Sequence, residues 1–306
     1  MMSKVGEVEP DPSVIGNVAK PPFVRLPDPL QVFFSRTQRF RTLAQDHQLG
    51  DYLRFLAALS EAQYRIQDAL PEPELPGPDV IARAREHKMP PLDRSRFTSD
   101  AALDETLNRL FSLSASIEMP ALARGALDRI TAADAGMRHT MIHDVLADAI
   151  PVEAVAEHMF VTAGLQVHFA RLAARLDADG LVPVGDGVCP CCGSAPTSSL
   201  IVGWPNAEGT RFCSCSLCST LWNYVRVQCV VCGSNKDISY QQLDGSDGTI
   251  KAETCGSCRS YVKMLNQRNN SALDPVADDV ASLALDILVR ETGFSRGAVN
   301  PYLLGY

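Results

Sequence analysis

The chemistry this chain can do is concentrated in four Cys-x-x-Cys pairs: Cys189/Cys192, Cys215/Cys218, Cys229/Cys232 and Cys255/Cys258. A C-x-x-C turn can place two thiolates on one metal ion at about 2.3 Å, and two such turns complete a tetrahedron. Shifted by 40 residues, the first two pairs fall on the second two without a gap. Each half reads C-x-x-C-G-S, with 22 residues between the second Cys and the next pair, then C-x-x-C. Two pairings are open. Each half can close its own ion, Cys189, Cys192, Cys215 and Cys218 on one and Cys229, Cys232, Cys255 and Cys258 on the other, or alternate pairs can be cross-braced. The gap-free repeat favours the first, because each duplicated unit then stands alone.

Four thiolates bind zinc or mononuclear iron, and ligand type does not choose between them. Zinc would be structural and closed. Iron would add a one-electron couple tuned by hydrogen bonds to sulfur and by solvent exposure. Such a site keeps a net negative charge, so Arg211, Arg226, Lys251 and Lys263 are candidate counter-charges, or simply a solvated surface. Cys191 and Cys213 stand outside the repeat, opposite Val231 and Glu253, and read by default as inert thiols, with a redox role or substitution into the ligand set as the alternative. A reactive thiol there would need a depressed pKa.

His139 and His143 have i, i+4 spacing but no H-E-x-x-H signature, and read as a solvent-facing pair. No P-loop, G-x-S-x-G or G-x-G-x-x-G occurs. The chain offers no strong case for an enzyme.

The elements that must carry these pairs follow from composition and periodicity. The 306 residues are 46% hydrophobic with a net charge of −8, room for two or three domains. The acidic balance disfavours a general nucleic-acid binder. No apolar run reaches the ~18 residues of a membrane span, and the first twenty residues lack an apolar export core. Ten cysteines in that context point to metal before disulfides.

Residues 1–29 read as an extended arm. Residues 30–180 carry helical periodicity, with Tyr52, Phe55, Leu56, Leu59 and Ile66 forming one stripe. Pro71–Pro78 is a loop. Further helices are expected at about 79–88, 100–117, 120–133, 137–149 and 151–177, with Gly180 at the last C-terminus. Short strands fit 199–204, 220–227, 238–240, 250–252 and 261–265, with a turn at Asp244-Gly245-Ser246-Asp247-Gly248. The fold class expected is therefore an all-α domain, then two tandem metal ribbons at 188–226 and 227–268, each a small antiparallel sheet. A helix and docking tail at 272–306 complete it. One helix is expected at Asp274–Glu291, burying Val276, Val280, Leu283, Ile287 and Leu288. Units of about 40 residues have little core, so metal would supply much of their folding free energy, on the order of 10–16 kcal/mol for structural zinc.

Particular residues resemble one family. The duplicated ribbon, Leu221-Trp222, Val225-Arg226-Val227, Ile250-Lys251-Ala252-Glu253, the run from Ala277 to Asp286 and Asn300-Pro301-Tyr302-Leu303-Leu304 are similar to the formate dehydrogenase accessory protein family, FdhE. Pro21-Pro22-Phe23 and Leu49-Gly50-Asp51-Tyr52-Leu53 extend the likeness to the helical part. Cys191, Cys213 and the Gly305-Tyr306 ending depart from it. The resemblance implies a cytoplasmic maturation factor that meets the formate dehydrogenase catalytic subunit before export. It also implies two rubredoxin-type sites made by the eight paired cysteines, with iron ahead of zinc. Two other readings compete: a zinc-ribbon nucleic-acid binder stacking bases on Trp204, Trp222, Tyr224 and Tyr240, and a thiol–disulfide redox protein.

Overall fold

A computed structural model describes residues 21–304. Most of the expected arm lies outside those residues. The helical part comprises α1 (Pro29–Leu43), α2 (Gly50–Arg65), α3 (Pro78–Glu86), α4 (Ala101–Ser114), α5 (Ala121–Ala132), α6 (Ala135–Leu146) and α7 (Val155–Ala173). Local chemistry starts several of them. Asp28, Asp100 and Asp134 each accept an N–H from the first turn of α1, α4 and α6. The centre of the bundle is α7, buried almost throughout and packed against α2, α4, α5 and α6. Gly164 allows the closest of these contacts, since a Cβ there would lie 2.5 Å from Leu107 Cδ2. Gly180 does not end this helix. It belongs to a short turn at Ala178–Gly180, after α7 has stopped at Ala173.

The second half is larger in sheet than two small ribbons. Strands β1 (Val24–Arg25), β2 (Pro196–Ile201), β3 (Arg211–Cys215), β4 (Leu221–Asn223), β5 (Ile238–Gln241), β6 (Ile250–Cys255), β7 (Ser260–Asn266) and β8 (Ser295–Arg296) form one eight-stranded sheet. Its order is β1-β4-β3-β2-β7-β6-β5, with β8 on β7. The duplication survives as two antiparallel three-stranded units, β2-β3-β4 and β5-β6-β7. They are fused by a parallel pairing of Ser199, Leu200 and Ile201 with Met264, Leu265 and Asn266. The merger removes two free edges that separate ribbons would expose. The N-terminal β1 covers a third, pairing Val24 with Trp222 and Arg25 with Leu221.

The C-terminal helix is also corrected. It is broken at Ser282 into α8 (Ala277–Ala281) and α9 (Leu283–Glu291). Asp274 does cap it, accepting from the Val276 and Ala277 N–H groups. The break changes the phase of the stripe. Val276 and Val280 stay buried, but Ile287 and Leu288 turn outward and Leu285, Asp286 and Val289 face the sheet. The hydroxyl of Ser282 donates back to the Asp278 carbonyl at 2.7 Å, which competes with helix continuation.

A buried charge cluster holds this helix pair. Lys263 on β7 pairs with Asp279 at 3.3 Å and with Asp286, and donates to the Ser282 carbonyl at 3.1 Å. Arg296 pairs with the same two carboxylates. On the other side Arg39 of α1 forks onto Asp278 at 2.9 and 2.6 Å. The tail docks on the body: Tyr302 donates to Gln166 of α7 at 3.0 Å, and Tyr52 of α2 donates to the Tyr302 carbonyl at 2.7 Å.

Two stability predictions follow from these contacts. Replacing Lys263 by Met leaves two buried carboxylates with one cation fewer, and should cost about 3–5 kcal/mol in urea unfolding. A second concerns pH. His168 on α7 is buried, with Nε2 3.8 Å from an Asp100 oxygen and the ring edge-on to Phe97. Burial pushes its pKa down to about 4. The imidazole is thus neutral in the fold, whereas in the unfolded chain it takes a proton near pH 6.5. Its contribution is complete above pH 6.5 and is lost as pH falls toward 4. Between pH 7.5 and 5 the wild-type chain should lose about 2 kcal/mol more in urea unfolding than His168→Phe.

Candidate metal centres

The knuckles are built alike in the two halves. In the first, the Cys189 N–H donates to the Ser194 carbonyl at 2.8 Å and the Gly193 N–H to the Cys189 carbonyl at 2.9 Å. In the second, the Cys229 N–H donates to the Ser234 carbonyl at 2.8 Å and the Gly233 N–H to the Cys229 carbonyl at 2.9 Å. Gly193 and Gly233 have φ of +78° and +69°, a backbone that a side chain would strain. The second knuckle of each half sits between two strands, after β3 and after β6. It closes through left-handed Ser219 and Arg259, again 40 residues apart.

This geometry gathers Cys189, Cys192, Cys215 and Cys218 in one group and Cys229, Cys232, Cys255 and Cys258 in another, with all sulfurs of a group within 4.8 Å of one another. The cross-braced alternative is not formed. Four sulfurs each about 2.3 Å from one ion define a tetrahedron with edges of about 3.8 Å. The sulfur separations are 3.6 Å for Cys189–Cys218, 3.4 Å for Cys192–Cys215 and 3.6 Å for Cys192–Cys218. They are 3.7 Å for Cys229–Cys258 and 3.8 Å for Cys232–Cys255. Both groups therefore fit a tetrahedral ion. Peptide N–H groups point at sulfur, as thiolate ligands require: Cys191 to Cys189 at 3.4 Å, Leu217 to Cys215 at 3.4 Å and Cys218 to Cys215 at 3.3 Å.

Without a cation such groups cannot all ionise. Burial pushes the Cys189 and Cys218 thiols well up and also raises Cys229. Burial opposes the Cys255 thiolate too, yet N–H groups of Cys258 and Ser257 bring that thiol down to about 7. A divalent or trivalent ion would offset the mutual repulsion of the sulfurs and hold them as thiolates.

The surroundings differ from the sequence-based expectation for the basic residues. Arg211 is sealed in a pair with Glu253 at 2.9 Å and donates to the Gln228 carbonyl at 2.9 Å. Lys263 belongs to the carboxylate cluster under α8 and α9. Neither is free to balance thiolates, because each is held by its own buried acid. A basic residue that does feel the first group is Arg94. It is bonded to Asp148, and the nearby Cys192 and Cys215 sulfurs add to the upward pull on its pKa. The Arg94 and Leu92 N–H groups donate to the carbonyls of Cys192 and Cys191 at 3.1 and 2.8 Å. This strap lies about a hundred residues upstream, and no local signal marks it.

Cys191 and Cys213 are fully buried. Cys191 lies behind the first group, where Thr220 Oγ1 donates to its sulfur at 3.3 Å. Burial raises Cys213 to about 12, which leaves it an inert thiol. His139 and His143 are exposed on α6 and join no ligand group among the described residues. Of the four aromatic side chains read as stacking candidates, Tyr240 alone is exposed, on β5. Trp222 is buried, Trp204 packs on Phe212 beneath Arg25, and Tyr224 is tied to Asp186. Among the described residues no helix is long and apolar enough to cross a membrane.

A helical bundle strapped onto a duplicated four-cysteine sheet defines a class of metal-ribbon protein with coordinatively closed sites. Comparisons with known proteins give the family. The FdhE N-terminal, central and C-terminal domain models match residues 21–186, 188–226 and 227–303. The chain is 46% identical over 304 residues to an FdhE homolog of Rhizobium meliloti, covering 99% of each. It is 35% identical over 286 residues to one of Edwardsiella ictaluri, covering 91% of this chain and 90% of that one. The crystal structure of the FdhE protein from Pseudomonas aeruginosa superposes with a TM-score of 0.82 at 32% identity, over 93% of this chain and 99% of that one. The chain belongs to the FdhE family.

The geometry sets a stoichiometry. Chains refolded anaerobically with excess Zn²⁺ or Fe²⁺ should retain two equivalents after desalting, measured by elemental analysis. Replacing Cys229 and Cys232 together by Ser should leave one.

Proposed function

We propose that the protein is a non-catalytic, cytoplasmic maturation factor for respiratory formate dehydrogenase. It binds the enzyme's catalytic subunit before export and carries a metal ion in each four-cysteine group. The observation that carries this reading is the coincidence of family membership along the whole chain with two complete thiolate tetrahedra. A closed four-thiolate site leaves no open position for a substrate, and no other group of His, Cys, Asp or Glu among the described residues is gathered for a metal ion. Iron stands ahead of zinc through the family resemblance. The N–H···S bonds and the partial exposure of one group suit a one-electron couple.

Anaerobic purification with a visible spectrum and metal analysis tests the metal. Iron(III) thiolate absorption with two irons per chain is expected, and a colourless protein with two zinc ions that still matures the enzyme overturns the iron reading. Co-purification tests the client. A tagged formate dehydrogenase catalytic subunit should retain this protein, and the Cys-to-Ser variants that remain folded should be retained less. Failure of the wild-type protein to co-purify removes the client reading.

A further inference from the structure

The two metal groups share a sequence pattern but not an environment. In the first, Cys189, Cys192 and Cys218 are 0% exposed and Cys215 is 1% exposed. All four belong to the hydrophobic core that runs through the helical bundle. Three separate elements hold their loops. The Leu92–Arg94 strap donates to Cys191 and Cys192, and Pro90 packs against Gly193. From α7, Gln166 donates to the Ser216 carbonyl at 2.8 Å. From the tail, the Val299 N–H donates to the Pro196 carbonyl at 2.9 Å. Opening this site means parting the bundle, the tail and the sheet together.

The second group lies at the other end of the sheet. Cys232 is exposed and Cys258 half-buried. None of its four cysteines joins a core cluster among the described residues. Its loops are held by Gln228 donating to the Gly233 carbonyl at 2.9 Å, by Ser234 against Ser257 at 2.9 Å and by the Asp186–Gly187 linker beside Gly233 and Val230. The Tyr224 hydroxyl also donates to the Cys229 carbonyl at 3.1 Å, and the Ser295 N–H to the Arg259 carbonyl at 2.8 Å. Val230 reaches the core, but the Cys232 and Cys258 arms do not. The neighbouring strand β5 is the outermost of the sheet. Solvent and a competing ligand therefore reach a metal–sulfur bond at Cys232 with no core disruption.

We infer that the two sites have different work: the first is a permanent structural site, and the second is an exchange site that can release and retake its metal ion, entered through Cys232 and Cys258. This rests on the reading that both groups hold metal ions. Exchange in a closed tetrahedral site starts with departure of one thiolate, which takes a proton or is replaced by an incoming ligand, while three arms keep the ion. Where that first arm is solvent-accessible, the opening is local; where it is sealed, the opening approaches global unfolding. The burial contrast places the two sites at opposite ends of that scale.

The test uses the full chain loaded with two equivalents of Zn²⁺. Release to the chromogenic chelator 4-(2-pyridylazo)resorcinol is followed under native conditions, with N-ethylmaleimide labelling mapped by mass spectrometry. Two phases of one equivalent each are expected, roughly a hundredfold or more apart in rate. Cys232 and Cys258 should be labelled during the fast phase, and Cys189, Cys192, Cys215 and Cys218 only during the slow one. Cys232→Ser, which touches no core contact, should abolish or further accelerate the fast phase and leave the slow phase unchanged. Release of both equivalents in one phase, or earlier labelling of the first group, overturns the inference. A chain that takes up no metal instead overturns the reading beneath it.

Discussion

Four sulfurs gathered within 4.8 Å of one another, the nearest pairs 3.4–3.8 Å apart, are the constraint on which the second half of this protein depends. Thiolates at that spacing repel one another, and four converging sulfurs need a reason. A cation at the centre supplies it, and the backbone must then deliver each pair with its N–H groups aimed at sulfur. The knuckle does this with one left-handed residue per turn, glycine in the first pair of each half and Ser219 or Arg259 in the second. The strands follow from the knuckles. Each second pair lies just beyond a strand, so pairing of β3 with β2 and of β6 with β5 brings cysteines more than twenty residues apart into contact. Sheet and metal site thus require each other.

Duplication explains the form of the sheet, and divergence explains how it is mounted. The 40-residue offset carries over to the knuckles and the three-stranded units. Fusion through β2 and β7 turns two small sheets into one, and the positions that differ between copies secure the fusion. Glu253 occupies the place of Cys213 and reaches Arg211 of the other copy. Lys263, which replaces Asn223, receives α8 and α9 through Asp279 and Asp286. Such buried pairs need not add net stability relative to apolar packing, but they penalise any alternative docking that would leave a charge alone.

What was legible in the sequence was what is local or periodic. The eight ligands could be grouped four by four because the repeat has no gap. The helices could be placed because their apolar stripes, proline starts and aspartate caps are local. Features that depend on distant partners were not legible. Strand β3, Arg211–Cys215, contains two cysteines and no alternation, because it is buried on both faces. The break at Ser282 depends on Lys263 and the Asp279–Asp286 cluster, which no helical stripe encodes. Arg211 and Lys263 read as counter-charges to the thiolates or as surface cations, since nothing nearby in the chain announces Glu253 or Asp279 as a buried partner. The inequality of the two metal groups was invisible for the same reason. Their ligand spacings match, and only the bundle, the strap and the tail make one of them a core.

That inequality bears on what a protein with two closed sites can do. A four-thiolate tetrahedron has no vacant position, so it cannot polarise a carbonyl or generate hydroxide from water as open zinc sites do. Its chemistry is confined to holding structure, passing an electron, or giving up and taking back its ion. The first requires burial, and the other two require access. A chain carrying one sealed copy and one exposed copy of the same ligand set therefore separates demands that a single site would meet badly. The sealed copy ties the helical bundle to the sheet. The exposed copy, at the end of the sheet farthest from β1, is free to respond to the solution or to a partner without loosening the core.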